Sequence, residues 1–105
     1  MKAKVTKALA ARLRSEFLET LPGYRITFET YTQSEYQRYV DYDLFRHEED
    51  FDYKTGMMKV IRVSYPDEYY ACARHLTTRD VQQAARRGHG TMEGFLKEIA
   101  KDIEI

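Results

Sequence analysis

The chain of 105 residues has one cysteine, two prolines, five glycines and no tryptophan. With Cys72 alone there is neither a disulfide framework nor a thiolate zinc cluster. No apolar run approaches the ~20 residues of a membrane span. The opening "MKAKVTKALAARLRSEF" breaks its apolar residues with charge every few positions, unlike a signal peptide. The expectation is a cytoplasmic protein with no membrane partner. Repeats and low-complexity tracts are missing, and Pro22 and Pro66 serve as punctuation. There is also no net charge, with 17 basic and 17 acidic side chains. Global attraction to nucleic acid or an anionic membrane is thereby excluded, and any electrostatic partner must be read by a local patch.

What is present is a globular composition, 43% hydrophobic and 13% aromatic, with nine tyrosines. The length suits a single domain, residues 1–105, with one modest core. Tyrosine rings tolerate half-wet positions, so partly covered sheet faces are expected. The charge is unevenly placed. Residues 1–26 hold six basic and two acidic side chains, and residues 27–53 hold two and eight.

Val5, Ala8, Leu9, Leu13, Phe17 and Leu21 follow a helical period, so a helix is expected over about residues 3–20, ended by "LPGY". Lys2, Lys4 and Lys7 oppose the dipole at its start. Tyr24, Ile26 and Phe28 then alternate with polar neighbours, as in a strand. "EYQRYVDYDLFRH" is ambiguous. Val40, Tyr42 and Leu44 fit a strand face, whereas Ser34 could cap a short helix; the reading favours strand from about Arg38. "DYKTG" and "PDE" read as turns, with "MMKVIRVSY" and "YYACARHL" as strands. "TTRDVQQAARR" starts on a threonine cap with Asp80 in its first turn. "GHG" breaks it, and "TMEGFLKEIAKDIEI" places Met92, Phe95, Leu96, Ile99 and Ile103 on one face. The expected fold is α+β: an N-terminal helix, an antiparallel meander of about four strands, and two short C-terminal helices packed on one sheet face. The tyrosines are expected on the other face.

The stretch "DYDLFRHEEDFDY", Asp41 to Tyr53, carries six carboxylates among four aromatic rings. An EF-hand fails because Phe45 stands at the third ligand position and Arg46 at the turn glycine. A catalytic pair such as Glu48 and Asp50 would need environments that separate their pKa values, and a hydrated hairpin does not supply them. Cys72 and His75, three apart in a strand, fall on opposite faces. "HEED" lacks a second zinc histidine, and Gly88-His89-Gly90 is no phosphate loop. The expectation is a non-enzyme with neither metal nor cofactor.

The segment Thr78 to Met92 resembles the helix-turn-helix of TetR-type repressors through Thr78, Arg79, Asp80, Val81, Ala85, Gly90, Thr91 and Met92. The resemblance implies DNA binding, with the helix from about Thr91 in the major groove. Arg86 stands in place of the turn glycine, and Arg87 in place of the apolar lock. Arg79, Arg86, Arg87 and His89 form the candidate nucleic-acid patch, the alternative function.

The leading expectation is a small protein-interaction module, an inhibitor or regulator from a phage or mobile element. By size and charge pattern it is similar to anti-restriction and anti-CRISPR proteins. It would set Asp41, Tyr42, Asp43, Glu48, Glu49, Asp50, Phe51, Asp52 and Tyr53 against a basic protein groove, such as that of a nucleic-acid-binding enzyme. Acids steer the encounter while rings supply rigid contact area.

Overall fold

The computed structural model describes residues 3–66, 69 and 71–105. Its elements are α1 (Lys7–Phe17), β1 (Arg25–Tyr31), α2 (Gln33–Tyr39), a 3-10 segment (Leu44–Asp50), β2 (Phe51–Asp52), β3 (Met57–Pro66), β4 (Ala71–Leu76), α3 (Thr78–Arg87) and α4 (Met92–Ile103). The chain thus forms an N-terminal helix, an antiparallel four-strand sheet and two C-terminal helices. Asp67 and Glu68 of the expected "PDE" turn lie outside the described residues, as do Lys2 and Tyr70.

The sheet is built on β3, whose β-branched run suits a strand covered on both sides. β1 occupies one edge of β3, from Tyr31 opposite Met58 to Arg25 opposite Ser64. The other edge is shared, by β2 at Met57 and Met58 and by β4 from Ile61 to Pro66. This corrects the expected meander, because β1 lies beside β3 and not beside the next strand in sequence. It also corrects the strand from Arg38. Thr32 and Glu35 form a reciprocal capping box that starts α2, and Asp43 caps the 3-10 segment through the Phe45 N–H. The intervening chain therefore crosses one sheet face to reach the far edge of β3.

Two cores result. On one face Ile26, Ile61, Val63 and Leu76 meet Leu13 of α1, Val81 of α3 and Phe95, Ile99 and Ile103 of α4, all buried. On the opposite face Met58 and Val60 are covered by the buried Tyr36 of α2, with Tyr31, Val40, Leu44 and Phe51 packed around them. The expectation that tyrosines occupy only the uncovered face therefore needs correction. Tyr24 packs against the main core and stacks on Tyr65 at 4.9 Å between ring centroids. Met92, expected on the apolar face of α4, is 39% exposed.

Two close contacts hold the periphery. Arg14 of α1 donates to the Ile26 carbonyl at 2.9 Å and covers the outer edge of β1. At the α3–α4 turn Gly88 and Gly94 pack backbone to backbone. A Cβ on Gly88 would lie 2.2 Å from the Gly94 carbonyl carbon.

Candidate functional site

The acidic stretch is not a hairpin. Its residues divide according to what the 3-10 segment and β2 do with each side chain. Asp50 faces inward at 1% exposure. Its carboxylate accepts from the Thr78 backbone N–H at 3.0 Å and from the Thr78 hydroxyl. Burial raises its pKa, and the Thr78 bonds only partly offset that. Asp50 therefore offers no surface to a partner, which corrects its place in the candidate set. Asp41 is likewise turned toward the chain. It accepts from buried His47 Nε2 at 2.8 Å, and Arg46 lies 3.5 Å away. The His47 bond and the Asp43 N–H hold Asp41 below the usual carboxylate range. Behind it Tyr36 packs edge-on to His47, and neither Tyr36 Oη nor His47 Nδ1 has a hydrogen-bond partner among the described residues.

Asp52 caps the turn through the Lys54 N–H, which lowers its pKa. Glu49 accepts from Gln82 of α3 at 3.1 Å. Most of these carboxylates thus bond within the chain's own fold.

The remaining five candidates come together differently. Tyr42, Asp43, Glu48, Phe51 and Tyr53 line a single groove of about 820 Å³ with Leu44, Phe45 and Met58, and with Gln33 and Gln37 of α2. Its floor is apolar, because Phe51 and Leu44 belong to the second core. Its walls are exposed rings: Phe45 is 95% exposed, Tyr42 84% and Tyr53 77%. Phe45, the most exposed of these rings, is absent from the expected contact set, as are Leu44, Met58, Gln33 and Gln37. The signal for Phe45 was available in its place among the rings and acids of "DYDLFRHEEDFDY".

The arginine patch divides too. Arg87 bonds Asp102 at 2.9 Å and Glu98 at 3.3 Å, both on α4. Its charge is balanced by the helix that would have to enter a groove of DNA, and Arg79, Arg86 and His89 remain exposed. Cys72 and His75 lie on opposite faces of β4. His75 Nε2 instead meets Tyr31 Oη at 2.9 Å, and burial together with Arg62 lowers its pKa.

Among the described residues no group of three or more His, Cys, Asp and Glu side chains is placed to hold a metal, and no helix is long and apolar enough to cross a membrane. Comparison with protein-family models, curated proteins and solved structures found no match. The helix-turn-helix resemblance therefore rests on its local residues alone.

Proposed function

We propose that this chain is a non-enzymatic protein-interaction module that uses the groove beside β2 to engage a basic surface of another protein. One observation carries the reading: Tyr42, Phe45 and Tyr53 stand exposed around an apolar floor, with Asp43 and Glu48 among them. Rings held out in water on short capped elements are costly unless something covers them, and such patches mark contact surfaces. Aromatic anchors flanked by acids suit a partner with apolar contact area and a lysine- or arginine-rich surround. A nucleic-acid-handling enzyme has such a surround, and inhibition or regulation of one by a phage or mobile-element protein is the role we assign.

The test is comparative capture from host extract, with and without nuclease, using the wild-type chain, a Tyr42→Ala/Phe45→Ala/Tyr53→Ala variant and an Arg79→Ala/Arg86→Ala variant. A nuclease-resistant partner retained by the arginine variant and lost by the ring variant is expected. Retention that nuclease abolishes and the arginine variant loses would replace this reading with nucleic-acid binding. Equal retention by the ring variant would overturn the groove as the contact surface.

A further inference from the structure

The groove contains a corner whose geometry is more specific than an apolar patch. Phe51 lies in β2, and Tyr53 is the first residue of the turn that follows it. They meet edge to face, with centroids 4.8 Å apart and ring planes at 85°. Tyr53 Oη donates to Glu48 Oε1 at 3.3 Å, which holds that carboxylate beside the rings. Phe51 is fixed from behind by the second core. Among the described residues no lysine or arginine lines the groove, and nearby Arg46 is directed to Asp41.

We infer that this corner receives one arginine side chain of the partner, a refinement that rests on the groove being the contact surface. Ring faces attract a cation through their quadrupole, and a carboxylate adjoining them supplies the counter-charge. The choice between cations follows from shape. A guanidinium is flat, so it lies against one ring while its N–H edge points at the carboxylate in the same plane. An ammonium is compact and more strongly hydrated, and it gives up more water for the same contact. The aliphatic stem of the arginine would run over Leu44 and Met58, on the apolar floor.

The probes are N-acetyl-arginine-N-methylamide, its lysine counterpart and the neutral isostere N-acetyl-citrulline-N-methylamide, titrated while the ring and backbone NMR signals of the chain are followed. Saturable shifts centred on Phe51, Tyr53 and Glu48 are expected with arginine, about tenfold weaker with citrulline. Glu48→Gln should weaken the arginine response by about tenfold and leave the citrulline response unchanged. Glu48 is on the surface, so unaltered melting of the variant serves as the folding control. Equal binding of arginine and citrulline, or no saturable shift, would overturn the cation site; tighter binding of lysine would overturn the choice of arginine. The two readings fail separately. A captured partner lost on Tyr42→Ala/Phe45→Ala but indifferent to Glu48→Gln keeps the surface and removes the arginine corner. A partner indifferent to all of them removes the surface itself.

Discussion

Asp50 and Thr78, 28 residues apart, are joined at the centre of the molecule by a carboxylate that accepts from both the backbone N–H and the hydroxyl of the threonine. The same hydroxyl accepts from the Val5 N–H at 3.0 Å. One buried side chain thus ties the N-terminal arm, the 3-10 segment and the start of α3 together. Replacing Asp50 with alanine strands two donors, and we expect a loss of about 3 kcal/mol in urea unfolding. Thr78→Val should cost about 2 kcal/mol, whereas Thr78→Ser should cost far less. Wild-type stability in the Asp50→Ala variant would show that the clamp contributes nothing.

The same carboxylate has a pH signature. Its folded pKa is raised above the ordinary 3.8 by burial, so between the two values the folded chain binds more protons than the unfolded one. Asp50 therefore contributes stability that diminishes as pH rises through that window. Asp41, held low by His47, acts in the opposite sense, and its contribution is lost as pH falls. Removing only the first with Asp50→Asn should make stability fall more steeply on acidification just above pH 3.8. Stability curves of the two proteins measured across pH 3.5 to 6 (about the range where carboxylates titrate) check this. A shallower curve in the variant would contradict it.

His75 gives a second titration. Burial and Arg62 lower its pKa below 6.5, and a neutral ring with Nε2 as acceptor lets the Tyr31 hydroxyl donate to it. The unfolded chain takes up the proton first as pH falls. The stability His75 contributes is present above pH 6.5 and is lost below it. Tyr31→Phe removes a bond that favours the neutral ring, so the His75 midpoint followed by NMR should move up toward 6.5. An unchanged midpoint would assign the shift to burial and Arg62 alone.

Gly94 separates helix propensity from packing. Propensity alone favours Gly94→Ala by about 1 kcal/mol within α4. In the fold the added Cβ would lie 2.1 Å from the Gly88 carbonyl oxygen. Overpacking against backbone should dominate, with a net loss of about 2 kcal/mol or more on thermal unfolding. Gly88→Ala should behave alike. A stabilised Gly94→Ala variant would mean that the turn relaxes freely.

Phe45→Ala should leave stability within about 0.5 kcal/mol, since the ring touches mostly solvent. If the ring is an anchor, the same change should weaken a partner at least about tenfold in titration calorimetry. A large stability loss would instead identify Phe45 as a structural residue.

Elements governed by near neighbours were legible in the chain. The turn at Gly56, the long strand of "MMKVIRVSY" and the Thr77–Asp80 cap of α3 all stand where expected. From about Arg38 the chain does not form the expected strand, although Val40, Tyr42 and Leu44 alternate as a strand would. Thr32 and Glu35 formed a capping signature one turn earlier, and that local hydrogen-bonding box prevails over the alternation. The candidate site was half legible. Tyr42, Asp43, Glu48, Phe51 and Tyr53 meet in one groove, while Asp50 sits in the same run of letters yet faces the core.

Composition, periodicity and caps were thus enough to specify an α+β domain and the position of its acidic, aromatic segment, because those depend on interactions within a few residues. Which edge of β3 each strand takes depends on contacts far apart in sequence. So does the burial of Asp50, because Thr78 supplies two donors from 28 residues away that draw it inward, whereas Tyr53 holds Glu48 at the surface from within the same stretch. A carboxylate's role follows from which donors the folded chain brings within about 3 Å of it, and the folding of α2 across the sheet is what brings the 3-10 segment to those donors.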